Sequence, residues 1–149
     1  MKAIYRHTNL VAADWEKLAR FYESVFGCVR ILPERRLSGG WLEKGTGVSG
    51  ARIRGIHLRL PGHGEKGPTL EIFQYAENEP KGMPASNREG FGHLAFEVDD
   101  VAAAVEEVIR NGGRRVGEIT SFEAEGVGKI TFVYAADPEG NFIEVQKPG

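Results

Sequence analysis

The strongest constraint on this chain is that its two halves keep the same residues at the same spacing. His7 stands seven positions before Asp14, and Asp14 stands 13 before Gly27. In the second half His93 stands seven before Asp100, and Asp100 stands 13 before Gly113. Each half closes in an apolar run with one acid inside it, Glu71 in LEIFQ and Glu144 in IEVQ. His7 to Glu71 spans 64 residues and His93 to Glu144 spans 51. The difference, 64 − 51 = 13, falls in the Gly-rich stretch LSGGWLEKGTGVSGARIRG, where a loop absorbs extra length. A chain with this self-similarity is two copies of one supersecondary unit.

Local patterns give that unit its content. Residues 3–12 alternate and read as a strand. Asp14 is placed to cap the helix that follows, Gly27 ends it, and Trp15, Leu18, Phe21, Tyr22, Val25 and Phe26 form an apolar stripe at helical spacing. Residues 28–37 read as a second strand, Ile53 to Leu60 as a third and TLEIFQYA as a fourth, with the zone around Trp41 a Gly-rich loop or lid. ENEPKGMPASNREG has no periodicity and reads as a linker. The order then repeats: FGHLAFEVDD, a helix over 101–110 stopped by Gly112 and Gly113, RRVGEIT, KITFVYAAD, the turn Asp137-Pro138-Glu139-Gly140, and NFIEVQKP. The expected organisation is α+β: a βαβββ module over 1–76, a linker over 77–90 and a second βαβββ module over 91–149.

The bulk properties exclude several function classes. The net charge of −2, with 27% charged residues, gives no basic patch for nucleic acid. No apolar run approaches the roughly 20 residues of a membrane span, and the N-terminus turns polar too soon for a signal peptide, so a cytoplasmic location is expected. Cys28 is the one cysteine, which rules out an intrachain disulfide and a thiolate-based metal site.

A lone histidine in a strand is ordinarily just hydrogen-bonded, and a mid-strand glutamate often faces solvent. Here both types recur in matched pairs. If the modules pair about a pseudo-twofold axis, His7, Glu71, His93 and Glu144 converge. Two imidazoles and two carboxylates suit one borderline divalent ion, whether Zn, Ni, Co, Mn or Fe. The ion's charge also accounts for acids inside apolar strands. Strand parity puts His7, Asn9 and Val11 on one face, Glu71 with Phe73 and Tyr75 on another, and Glu144 beside Gln146. His57 and Arg59 share a face with Ile53 and Gly55, and are expected on a polar outer face rather than in a pocket. The stripe of Trp15, Leu18, Phe21 and Tyr22 is expected in the core.

HTNLVAADWEKLARFYESVFG, GHLAFEVDD and DPEGNFIEVQ resemble the vicinal oxygen chelate superfamily, the group of glyoxalases, bleomycin resistance proteins and extradiol dioxygenases. The resemblance covers nearly the whole chain and implies paired βαβββ modules curled into open barrels around a metal. It implies ligands from the first, fourth, fifth and eighth strands, here His7, Glu71, His93 and Glu144. The His/Glu/His/Glu set resembles glyoxalase I. A related epimerase would carry Gln at the Glu71 position, and an extradiol dioxygenase would use two histidines and one glutamate. The activity implied is that of a lyase or isomerase with no organic cofactor. It moves a proton beside a metal-chelated carbonyl of a small substrate with vicinal oxygens. Glu144 is the first candidate to carry that proton and Glu71 the second.

Two other classes stay open, an extradiol-type dioxygenase and a non-catalytic protein that binds a drug-like small molecule. Arg20, Arg35, Arg52, Arg59 and Arg88 are available for substrate anions but form no glutathione motif. A homodimer is expected, because open sheets leave edge strands to be covered.

Overall fold

The computed structural model describes residues 1–126 and 128–149. The chain divides into two compact units, Met1–Pro80 and Lys81–Gly149. The first unit runs β1 (His7–Val11), α1 (Trp15–Phe26), β2 (Val29–Ser38), α2 (Gly40–Thr46), β3 (Arg52–Arg59) and β4 (Thr69–Tyr75). Its open sheet has the order β1-β4-β3-β2, with β1 parallel to β4 and the other pairs antiparallel. The second runs β5 (Leu94–Glu97), α3 (Val101–Arg110), β6 (Arg114–Arg115), β7 (Thr120–Ala124), β8 (Gly128–Ala136) and β9 (Phe142–Pro148). Its open sheet has the order β5-β9-β8-β6, with β7 also on β8 and β5 parallel to β9. The fold class is α+β with non-closed sheets, as the repeat predicts.

Both long helices begin for the same reason. The Asp14 carboxylate accepts the Lys17 N–H at 3.0 Å, and the Asp100 carboxylate accepts that of Ala103 at 3.0 Å. Gly27 ends α1 at φ 67°, in the left-handed region where glycine meets no Cβ penalty. The stripe of α1 is core: Trp15, Leu18, Phe21, Tyr22 and Phe26 are buried, as are Ile56, Leu58, Leu70 and Ile72 of the sheet it covers. Each such side chain contributes about 1.5–3 kcal/mol by leaving water. In the second unit Val101, Val105 and Val108 play this part against Val133, Ala135, Ile143 and Val145.

Two expectations change. The Gly-rich zone contains α2, a two-turn helix, rather than loop throughout. Thr46 Oγ1 donates to the Leu42 carbonyl, Gly47 closes the helix at φ 72°, and Leu42 is buried with Ala51 and Ile53. Trp41 stays exposed. RRVGEIT is not one strand. The N–H groups of Val116 and Gly117 both donate to the Tyr134 carbonyl, at 2.9 and 3.0 Å. Two donors on one acceptor break the ladder, so pairing stops at Arg115 and resumes at Thr120.

Candidate functional site

In the first unit Glu71 sits on β4 between two neighbouring strands, with Asn9 of β1 on one side and His57 of β3 on the other. Alternation sends Leu70 and Ile72 to the helix-covered face, and Glu71, Phe73 and Tyr75 to the opposite one. Glu71 is buried, and three nitrogen-bearing side chains surround its carboxylate. His7 Nδ1 lies 3.4 Å and His57 Nε2 3.3 Å from Oε1, while Asn9 Nδ2 donates to Oε2 at 3.4 Å. His57 therefore faces the acid and not the polar exterior expected from the sequence. Burial lowers its pKa first; Glu71 opposes this, and Arg35 and His7 add to the lowering. The neutral imidazole is thereby favoured.

Gly55 shapes the same face. A Cβ there would lie 2.1 Å from the Ile72 carbonyl oxygen and 2.6 Å from the Phe73 ring. Only glycine lets Phe73 cover β3 at this point. The His57 and Phe73 ring centroids are 5.6 Å apart.

In the second unit the turn before β9 sets the acid's position. Asp137 Oδ1 accepts the N–H groups of Glu139 and Asn141, each at 2.9 Å, and Oδ2 accepts Asn141 Nδ2 at 2.7 Å. That Asx-type turn feeds β9 so that Glu144 pairs with Ala95 of β5 and Tyr134 of β8. His93, one residue before β5, places Nε2 at 2.9 Å from Glu144 Oε2. Its ring lies 4.8 Å from that of Tyr134. Phe132 follows at 6.0 Å from Tyr134 and Phe122 at 5.7 Å from Phe132.

The predicted residues are thus brought together as two pairs, His7 with Glu71 and His93 with Glu144. Among the described residues no group of three or more His, Cys, Asp or Glu side chains forms an ion site by itself. The donor chemistry of each pair fits a divalent ion. Two ligands each about 2.1 Å from an ion stand about 3.0 Å apart at a right angle and about 3.4 Å apart at the tetrahedral angle. The pairs are separated by 3.4 and 2.9 Å. Asn9, His57 and Tyr134 are the neighbours that sequence reading did not assign to the site. Parity alone had put Asn9 on the face of His7.

Cys28 is buried and no part of this chemistry. Burial, with Glu23 nearby, pushes its thiol up to about 12 from an ordinary 9.0.

Residues 4–145 match the model of the Glyoxalase/Bleomycin resistance protein/Dioxygenase superfamily. No curated protein matches the chain. Among solved structures, a glyoxalase family protein from Bacillus cereus is 15% identical with a TM-score of 0.76, over 99% of this chain and 94% of that one. An integron cassette protein from V. cholerae is 26% identical with a TM-score of 0.53, over 99% and 96%. A glyoxalase I variant from Zea mays is 22% identical with a TM-score of 0.63, over 97% of this chain and 46% of that one.

Proposed function

The chain belongs to the Glyoxalase/Bleomycin resistance protein/Dioxygenase superfamily, and on that premise we propose that it is a metal-dependent, glyoxalase-like lyase or isomerase. One observation carries the reading: a His/Glu pair recurs at equivalent places in both units, with N···O separations of 3.4 and 2.9 Å that suit neighbours on an ion. His7, Glu71, His93 and Glu144 are the proposed ligands of one divalent ion, two from each unit, with neutral imidazoles and ionised carboxylates. When bound, the ion supplies Lewis acidity, polarising a chelated carbonyl and easing loss of the proton on the adjacent carbon.

The chain's own residues divide the remaining work. Glu71 is enclosed by His7, His57 and Asn9, so it is held in place and serves as a fixed ligand. Glu144 has one close histidine, with His93 Nε2 2.9 Å from its Oε2, and is the less buried of the two acids. It is the residue proposed to take the proton from one carbon and return it to the next, within about 3 Å of both. The substrate is a small molecule offering two neighbouring oxygens. A homodimer is proposed because β2 and β5 are sheet edges; light scattering at micromolar concentration giving a monomer mass contradicts it.

The test is deuterium exchange from solvent into a panel of 2-oxo thiohemiacetals, 2-methyl-3-oxoacyl thioesters and hydroxy ketones, under Ni, Co, Zn and Mn in turn. Exchange without dioxygen uptake is expected. Oxygen consumption with a catechol under ferrous loading, with no exchange in any pairing, overturns the reading in favour of a dioxygenase. Silence in both, with tight binding of an aromatic drug, leaves a sequestering protein.

A further inference from the structure

A cavity lies in the first unit, and Glu71 is not among its lining residues. It has a volume of about 390 Å³ and opens where the sheet runs past the first residue of α1. Along β3, Ile56 and Leu58 lie under the helix, while Arg52 and Arg54, on the same face, run beyond it. Arg36 of β2 pairs directly with Arg54, which pairs in turn with Gln74 of β4. Three guanidinium side chains therefore share one patch of sheet, although like charges on opposite strands destabilise a sheet. Glu34 offsets part of this, its Oε1 lying 3.3 Å from Arg36 and 3.2 Å from Arg54. Arg52 has no ion-pair partner among the described residues, and no acid lines the cavity. Trp15 supplies the aromatic wall and Ser38, Gln74 and Ala76 complete it, while Leu37, Ile53 and Tyr75 border the cavity from strands whose side chains at those positions pack on the opposite face.

We propose that this cavity binds a small amphipathic oxyanion, a carboxylate or phosphate monoester with a flat apolar body. Arg52 and Arg54 take the oxyanion, since guanidinium groups match both head groups with paired N–H donors. The apolar body rests against Trp15. Three guanidinium groups against the single Glu34 carboxylate leave net positive charge for the ligand, and the volume lies within the range of small-molecule sites. The site is independent of the metal reading, because Arg52 and Arg54 alternate along β3 with the residues of the Glu71 face.

The test follows the Trp15 indole N–H signal by nitrogen-proton correlation NMR, assigned with Trp41→Phe, since the chain has two tryptophans. The probes are phenyl phosphate, benzoate, phenol and inorganic phosphate. Phenyl phosphate or benzoate is expected to shift that signal saturably with a Kd at or below about 1 mM, and phenol and inorganic phosphate to bind at least about tenfold more weakly. Arg52→Ala with Arg54→Gln weakens the anion about tenfold or more, Arg52→Lys less, and His93→Ala not at all. Circular dichroism of each variant verifies the fold. No saturable shift with either aromatic anion overturns the proposal, as does equal binding of phenol. So does an affinity that Arg52→Ala, Arg54→Gln leaves unchanged in a folded protein.

Discussion

Around Glu71 the neighbouring strands supply Asn9 and His57; at the matching places around Glu144 they supply Ala95 and Tyr134. One acid is set among nitrogen donors, the other beside an apolar side chain and a ring. The aromatic rings differ in origin as well. In the first unit Gly55 leaves β3 bare and Phe73 of β4 covers it. At the equivalent positions of the second unit the ring is Phe132 of β8 and the β9 residue is Gln146. The same fold thus presents the same His/Glu pair with one acid held from three sides and the other held by His93. A duplicated unit can keep its His/Glu pair while its surroundings diverge, and under the proposed function that divergence makes Glu71 the fixed acid and Glu144 the working one.

The largest effect should come from swapping each acid for its amide. Glu144→Gln is expected to lower solvent exchange by about 10³-fold or more, while Glu71→Gln lowers it about tenfold, because a held ligand survives as an amide and a proton carrier does not. Equal losses would erase the division between the units. Next comes Gly55→Ala. A Cβ 2.1 Å from a backbone oxygen forces the strands apart, at a cost of about 3 kcal/mol in urea-unfolding stability. Phe132→Ala, at the matching position, removes a half-buried ring and should cost about 1–2 kcal/mol. The helix caps should behave alike in both units: Asp14→Ala and Asp100→Ala are each expected to cost about 1 kcal/mol, read as a lower Tm.

The smallest effect concerns the residue after the first helix stop, Cys28, whose counterpart is the exposed Arg114. Its folded pKa of about 12 lies above the ordinary 9.0. The unfolded chain therefore loses its thiol proton first. The stabilising contribution is complete below about pH 9 and declines as pH rises toward 12. Relative to wild type, Cys28→Ala should lose less stability across that window, measured by urea melts at stepped pH. The native thiol should also resist alkylation at pH 8 until the protein is unfolded.

Much of this was legible in the chain. Asp14, Asp100 and Gly27 act through the nearest turn of backbone, so their signals survive without tertiary knowledge. The alternation that put Glu71 with Phe73 and Tyr75 is equally local. His57 was not legible as a neighbour of the acid, because its place depends on the register of β3 against β4, which periodicity in either strand leaves free. α2 was hidden by Gly40 and Gly45, poor helix formers that the burial of Leu42 overrides. The interruption of RRVGEIT rests on the carbonyl of Tyr134, 18 residues beyond Val116, and no local pattern announces it.

The central claim is that one ion draws on both His/Glu pairs, and ion content per chain measures it most directly. Elemental analysis of tag-free protein after reconstitution should find about one divalent ion in the wild type and less than about a tenth in both His7→Ala and His93→Ala, each still folded by circular dichroism. An ion retained by His93→Ala and lost only from His7→Ala would contradict the claim, since the first unit would then hold it without the second.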